Sequence, residues 1–139
     1  MGVNISQGAD GGMGLQGKDG GLGSLPLGTV NYNVPVATTT ALLFYATRAA
    51  VLDSIIGRTF VAGTGGAATV SFYMSASGTA PASGTVLHSG TFNMVGTINT
   101  DQSLTLTTTQ IPAGYGVYAV YTGTATSAIG GVTASGRLA

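Results

Sequence analysis

The stretch Leu104-Thr-Leu-Thr-Thr-Thr-Gln-Ile-Pro-Ala-Gly-Tyr-Gly-Val-Tyr-Ala-Val-Tyr-Thr-Gly123 shows two strand-like segments on either side of a turn. Leu104 and Leu106 alternate with hydroxyl residues, and this period of two indicates a strand with one buried face. Pro112-Ala-Gly114 is typical of a turn, because proline fixes φ and glycine tolerates positive φ. Tyrosine and valine, which favour strands, dominate the residues that follow. The stretch therefore predicts strands over residues 103–110 and 117–122, joined by a tight turn.

The same pattern extends over most of the chain. From Thr29 onward, short runs of Thr, Val, Ile, Tyr and Phe alternate with turns rich in Gly, Pro, Asn and Ser. The runs predict eight strands, over residues 30–36, 41–47, 50–61, 68–75, 84–94, 103–110, 117–122 and 128–138. Eight short strands in about 110 residues predict an all-β fold, namely a two-sheet antiparallel sandwich that is jelly-roll-like.

The composition limits both the number of domains and the kinds of partner. The 139 residues provide room for one domain. Charged residues make up 6% of the chain and the formal net charge is zero, whereas roughly 25% is usual. Four cationic residues are too few to neutralise a nucleic-acid backbone, so we expect no nucleic-acid partner. So little charge also gives little repulsion between copies and favours association.

Residues 1–28 differ from the rest because they are rich in glycine and poor in large side chains. Such a segment buries too little apolar surface to offset its ordering entropy, about 1–2 kcal/mol per residue for the backbone. We therefore expect two parts, an extended glycine-rich N-terminal arm over residues 1–28 and a β-sandwich domain over residues 29–139. We also expect the arm to be flexible unless other chains hold it.

Glycine occurs at every third position from Gly8 to Gly23. A collagen-like triple helix requires this period, because only glycine fits at its axis. The triplets contain no proline, and the alternative is an extended arm that lies on other protein. Both possibilities imply several chains. The arm residues expected to bind a partner are Gly8, Gly11, Gly14, Leu15, Gly17, Gly20, Leu22, Gly23, Leu25 and Leu27.

His88 is the only imidazole and the obvious candidate for a general base. Ser89 follows it, but neighbours on a strand point to opposite faces, so the two cannot form a nucleophile–base pair locally. No sequence motif supplies the rest of a catalytic triad. We therefore predict that His88 is a surface or inter-subunit residue, and that the chain has no catalytic residue and is not an enzyme.

Asp53 and Asp101 are the only carboxylate side chains of the predicted sandwich. We expect Asp53 to pair with Arg48 or Arg58, and Asp101 to cap the backbone of a turn. Two carboxylates in these roles do not form the pair that a glycosidase needs.

No pattern in the chain indicates a cofactor or a metal site. Asp10 and Asp19 lie nine residues apart, without the clustered carboxylates that calcium prefers. The segment Gly12-Met-Gly14-Leu-Gln-Gly17 matches a dinucleotide-binding pattern, but no predicted strand precedes it. Charged residues interrupt the longest apolar region, residues 41–60, so we expect no membrane span.

Five aromatic residues leave two roles open. They could form a surface on which sugar rings stack, or they could fill the core or an interface of the sandwich. The five are Phe72, Tyr73, Tyr115, Tyr118 and Tyr121.

The stretch over residues 104–123 joins a Thr-rich strand, a Pro-Ala-Gly turn and an aromatic strand. Together with the glycine-rich arm and the low-charge Thr/Ala/Gly domain, it resembles the head decoration (cement) proteins of tailed bacteriophages. The resemblance implies a jelly-roll body on the capsid surface of the virion, self-association as a homotrimer, and the major capsid protein as a partner.

Together these features predict a structural virion protein that decorates and stabilises a phage capsid. It would oligomerise on the shell and clamp neighbouring capsid subunits through its arm. The alternative is a tail fibre or receptor-binding module that recognises cell-surface glycan through the tyrosine-bearing strands or loops. That alternative predicts an exposed aromatic patch.

Overall fold

The computed structural model describes residues 23–36 and 38–139, which form β-strands, turns and one short 3₁₀ helix. In chain order the strands are β1 (Leu25–Val34), β2 (Thr40–Tyr45), β3 (Ala50–Thr64), β4 (Ala68–Ala76), β5 (Thr85–Val86), β6 (His88–Ser89), β7 (Phe92–Asn93), β8 (Asp101–Ser103), β9 (Thr105–Leu106), β10 (Gln110–Ile111), β11 (Tyr115–Gly123) and β12 (Ser127–Leu138). The 3₁₀ helix, Pro81–Ser83, lies between β4 and β5. The predicted all-β antiparallel sandwich is confirmed.

Two five-stranded antiparallel sheets form the sandwich. Sheet A has the order β1-β12-β3-β10, with β8 also paired to β3. Sheet B has the order β2-β11-β4-β5, with β7 also paired to β4, and β6 pairs with β9 in a small separate sheet. The pairings are nested along the chain, since β1 pairs with β12, β2 with β11, β3 with β8 and β10, and β4 with β5 and β7. A long hairpin folded over in this way gives the strand order of a jelly roll.

The two sheets enclose one apolar core. Its largest fully buried side chains include Phe72, Phe92, Leu52, Ile55 and Leu87. The ring of Phe92, from sheet B, occupies the space beside Gly57 of sheet A, where an added Cβ would lie 2.6 Å from the ring. A glycine of one sheet thus makes room for an aromatic side chain of the other, which fixes the packing of the sheets at this point.

Different contacts close the two open sides of the sandwich. On the β1–β2 side, a Cβ added to Gly28 would lie 2.0 Å from the carbonyl oxygen of Leu43. On the opposite side, the carboxamide of Gln102 accepts a hydrogen bond from the Asn93 N–H (2.9 Å) and donates one to the Asn93 carbonyl (2.6 Å). The Gln102 side chain therefore pairs with the edge of sheet B as a backbone amide would.

Six of the eight predicted strands correspond to single strands of the structure. The other two are broken: residues 84–94 contain β5, β6 and β7, and residues 103–110 contain β9 and the ends of β8 and β10. Within residues 84–94, the break between β6 and β7 falls at Gly90, whose φ is +72°, where the chain leaves β9 and returns to β4. Counted as one strand each, the broken segments bring the total back to eight.

β1 begins at Leu25, four residues before the predicted start of the sandwich. Leu25 lies opposite Gly136, and Gly28 lies opposite Ala134, so the end of the predicted arm belongs to sheet A. The glycine and proline content of this segment concealed its alternation of apolar residues. Residues 25–28, which were predicted to belong to the arm, are therefore part of the sandwich.

Candidate functional site

The outer face of sheet B carries a continuous row of apolar and aromatic side chains. Leu42, Tyr118, Tyr73 and Val86 lie directly opposite one another on β2, β11, β4 and β5. Directly opposed residues of an antiparallel pair point to the same face of the sheet. Leu42 is 55% exposed and Val86 is 43% exposed, so the ends of the row reach solvent. We call these four residues the aromatic row.

The Tyr118 ring lies over Gly116, two residues earlier on the same strand. A Cβ added to Gly116 would lie 2.7 Å from the ring, and Gly116 is buried as a result. Gly116 pairs in turn with Tyr45 of β2, whose side chain is exposed. The aromatic surface thus extends beyond the row toward the end of β2.

The strands of sheet B contain no charged residue. The part of the chain that the structure describes has five charged side chains, and Arg48 lies in the loop between β2 and β3. The other four, Asp53, Arg58, Asp101 and Arg137, lie on strands of sheet A. An apolar face without charge is typical of a surface that packs against another protein.

The charges of sheet A are paired with one another. Arg58 lies opposite Asp101 and donates to its Oδ1 through Nε (2.8 Å), with Nη2 at 2.7 Å from the same oxygen. Asp53 accepts hydrogen bonds from the Ser24 hydroxyl and the Arg137 guanidinium, and these contacts lower the pKa of its carboxyl. Through them Asp53 joins the start of β1 to β3 and β12.

The predicted roles of the two carboxylates were both wrong. Asp53 pairs with Arg137 rather than with Arg48 or Arg58, because β12 lies beside β3 in sheet A. Asp101 starts β8 and pairs with Arg58 instead of capping a turn. Strand register, which the local sequence does not reveal, decides both partners.

His88 is buried against the edge of β4 rather than on a surface, so that part of the prediction was wrong. Its Nε2 accepts a hydrogen bond from the Phe72 N–H (2.9 Å), which places the ring proton on Nδ1, 3.3 Å from the Ser89 carbonyl oxygen. The ring packs edge-on against Phe72, with centroids 5.6 Å apart. Burial lowers the pKa of His88, so the neutral ring is a structural hydrogen-bond acceptor.

The five aromatic residues singled out from the sequence do not form one surface. Phe72 and Tyr121 are buried, and Tyr115 packs partly against the core. Only Tyr73 and Tyr118 lie together on the outer face of sheet B. Strand periodicity separates Tyr118 from Tyr121, since residues three apart on a strand point to opposite faces.

Most of the predicted arm residues lie outside the described residues: Gly8, Gly11, Gly14, Leu15, Gly17, Gly20 and Leu22. Asp10 and Asp19 lie outside them as well. Gly23 has no atom within 4 Å of an added Cβ. Leu25 is exposed at the start of β1, whereas Leu27 is half-buried and packs against the core.

Within the described ranges, no group of three or more acidic or histidine side chains could hold a metal ion. None of these segments forms a helix with the length and hydropathy that a membrane span needs.

Sequence reasoning missed Leu42 and Val86 as members of the surface. Their strands are separated by long stretches of chain, and the row exists only through the register of four strands. One signal was available in the sequence, because the segments that form β2, β4, β5 and β11 all lack charge.

The chain shows a structural likeness to a solved protein. No protein-family model matches the chain, and no curated protein matches it. The fold is similar to that of a chain in the solved structure described as "Structure of infectious bursal disease virus Gx strain", with a TM-score of 0.36 and 12% sequence identity. The likeness covers 97% of this chain and 45% of that one. This chain therefore spans less than half the length of that protein.

Proposed function

We propose that this chain is a structural protein of a virus particle and that it acts by packing against other protein chains. The observation that carries the proposal is the outer face of sheet B, where the aromatic row crosses four strands that contain no charge. A single domain with such a face and 6% charged residues has little to keep its copies apart. Its working state is an assembly in which this face is covered.

The specific role is decoration of a phage capsid. The body self-associates, as a homotrimer, through the outer face of sheet B. Residues 1–22 reach over the shell to the major capsid protein. A protein that binds only the assembled shell stabilises it by mass action, and the effect is summed over many sites.

The start of β1 is held firmly in the sandwich, as an attachment point for the proposed arm requires. The Ser24 hydroxyl and Arg137 both contact Asp53, which ties the N-terminal end of β1 to its neighbours. From Leu25 to Val34, β1 pairs with β12 along its length. A pull on residues 1–22 is therefore resisted by a whole strand ladder instead of by one or two contacts.

Deletion of residues 2–22 tests the role of the arm. The deletion leaves Ser24 and β1 intact, so we expect a folded body with an unchanged circular dichroism spectrum. We expect the shortened chain to be lost from particles of the virus that encodes it. The matched control is Gly23→Ala, which meets no atom and should keep full occupancy. Unchanged occupancy after the deletion would contradict the clamp, and absence of the intact chain from purified particles would contradict the virion role.

A second candidate is a tail fibre or receptor-binding module that recognises glycan through its tyrosines. The observation in its favour is that Tyr73 and Tyr118 lie side by side on an outer face. The two functions require different solvent exposure of these rings. Glycan recognition requires the rings to be exposed, whereas assembly through sheet B buries them. Tyrosine accessibility in the assembled state therefore separates the candidates.

A further inference from the structure

The outer face of sheet A contains a depression of about 310 Å³ that the proposed function does not use. Four directly opposed residues cross the sheet at this level: Asn31 on β1, Gly131 on β12, Arg58 on β3 and Asp101 on β8. Asn31, Arg58 and Asp101 carry long or polar side chains, whereas Gly131 has no side chain. The depression is the gap in the row at Gly131.

The Asn31 carboxamide forms one wall of this gap. A Cβ added to Gly131 would lie 2.7 Å from Oδ1 of Asn31, so the amide leans over the glycine. Thr29 and Thr133, the next opposed pair on this face of the sheet, place their hydroxyls 3.1 Å apart at the rim. This side of the depression offers amide and hydroxyl groups that both donate and accept hydrogen bonds.

The opposite wall is the Arg58–Asp101 pair. Both contacts from Arg58 go to Oδ1 of Asp101, so neither engages Oδ2. The two side chains are 48% and 60% exposed, and a ligand at the wall meets a carboxylate acceptor beside guanidinium donors. The pair is neutral overall, so the site has no net attraction for either an anion or a cation.

An exposed aromatic ring completes the depression. Phe60 lies two residues beyond Arg58 on β3 and is 50% exposed. Ile56, two residues before Arg58, is also exposed. The depression thus combines one aromatic face with groups that carry no net charge and that both donate and accept hydrogen bonds. This combination is complementary to a sugar, whose ring has an apolar C–H face and hydroxyls around its edge.

We propose that the depression over Gly131 binds a neutral saccharide. The C–H face of a sugar ring packs on Phe60, while its hydroxyls donate to Oδ2 of Asp101 and exchange hydrogen bonds with Arg58 and Asn31. The volume lies at the lower end of ligand pockets, which begin at about 300 Å³, and so fits one or two sugar rings. This site lies on the face opposite the aromatic row and needs none of the tyrosines, so it stands or falls independently of the proposed function.

The test uses the full chain, labelled with ¹⁵N, and a panel of neutral tri- and tetrasaccharides of glucose, galactose, mannose and N-acetylglucosamine. At least one of these probes should shift the backbone amide resonances of Asn31, Arg58 and Gly131. Gly131→Val fills the gap and Phe60→Ala removes the stacking surface. Each should weaken that binding by at least about tenfold.

Leu138→Ala is the control, because Leu138 is an exposed apolar residue of sheet A outside the depression; it should leave saccharide binding unchanged. Phe60→Ala removes no core contact and keeps the test valid if Gly131→Val fails to fold. The proposal is wrong if no probe shifts these resonances, or if binding survives Phe60→Ala. It is also wrong if no probe binds and Phe60→Ala instead changes self-association, which would make this face a protein contact.

Discussion

The outer faces of the two sheets are built from the same kind of strand, and both carry exposed apolar side chains, but they differ in charge. Sheet A carries two ion pairs, Arg58–Asp101 and Arg137–Asp53. Threonine and asparagine side chains also lie on its strands. Sheet B carries the aromatic row and no charge. Among the described residues, four of the five charged side chains thus lie on sheet A.

This difference in charge supports the proposal that other protein chains cover sheet B and water covers sheet A. Exposed ion pairs contribute little to stability, about 0–1 kcal/mol each, so those on sheet A are better understood as keeping that face hydrated. Sheet B lacks such groups, and an apolar face left in water invites association. We therefore propose that solvent and small ligands meet sheet A and that other protein chains meet sheet B.

The largest effect is expected where the two sheets touch at Gly28. Gly28→Ala would place a Cβ 2.0 Å from the Leu43 carbonyl oxygen, and the backbone must move to relieve the clash. We expect a loss of about 3 kcal/mol or more in the free energy of unfolding, measured by urea titration. Gly23→Ala, five residues earlier, should lie within about 0.5 kcal/mol of the parent chain. Equal stabilities of the two variants would show that the sheets do not meet at this point.

Introducing charge into the aromatic row should remove the difference in charge between the two faces and weaken self-association. In the double variant Leu42→Glu/Val86→Glu, both new carboxylates replace exposed side chains, so the fold should survive. Desolvation and like-charge repulsion should weaken self-association by about a hundredfold or more, measured by sedimentation velocity across a concentration series.

Leu138→Glu provides the matched control on sheet A, since Leu138 is 60% exposed. The Leu138→Glu variant should sediment as the parent chain does at each concentration. A parent chain that stays monomeric at every concentration, or a double variant that associates as the parent does, would contradict self-association through sheet B.

A smaller effect of pH should distinguish His88 from the ion pairs of sheet A. Burial lowers the pKa of His88 below its ordinary value of 6.5, so below pH 6.5 the unfolded chain takes up a proton that the folded chain does not. Stability is therefore full above pH 6.5 and falls as the pH drops toward the lowered value. On sheet A, the contacts of Asp53 hold its pKa below 3.8, so that contribution is lost only in stronger acid.

Urea unfolding at pH 7.5, 6.0 and 5.0 measures this difference. His88→Gln keeps an acceptor for the Phe72 N–H but does not titrate, and its stability should be flatter across this range. Parent stability that is constant from pH 7.5 to 5.0, or an equal slope in His88→Gln, would show that His88 is not the group responsible.

The fold could be predicted from the sequence because strand periodicity is a local property. The alternation around Leu104 and the Pro112–Gly114 turn sufficed to indicate strands, and strand number and length then favoured a sandwich. The broken strands could not be predicted, since residues 84–94 leave one partner strand and return to it only after pairing with another. That path is set by tertiary pairing.

The candidate site was harder to predict because it is assembled from distant residues. Tyr73 and Tyr118 were recognised as a possible surface, but Leu42 and Val86 join them only through register. His88 looked accessible because nothing near it in sequence shows that Phe72 covers it. Local chemistry identified the residue types, and only the strand pairing decided which of them meet.

Hydroxyl-radical footprinting with mass spectrometry tests the central claim most directly, by comparing the dilute purified chain with the same chain in its assembled state. The account predicts that Tyr73 and Tyr118 lose most of their reactivity on assembly while Phe60, on sheet A, keeps its own. Protection of Phe60 with Tyr73 and Tyr118 still reactive would contradict the assignment of sheet B to protein contacts.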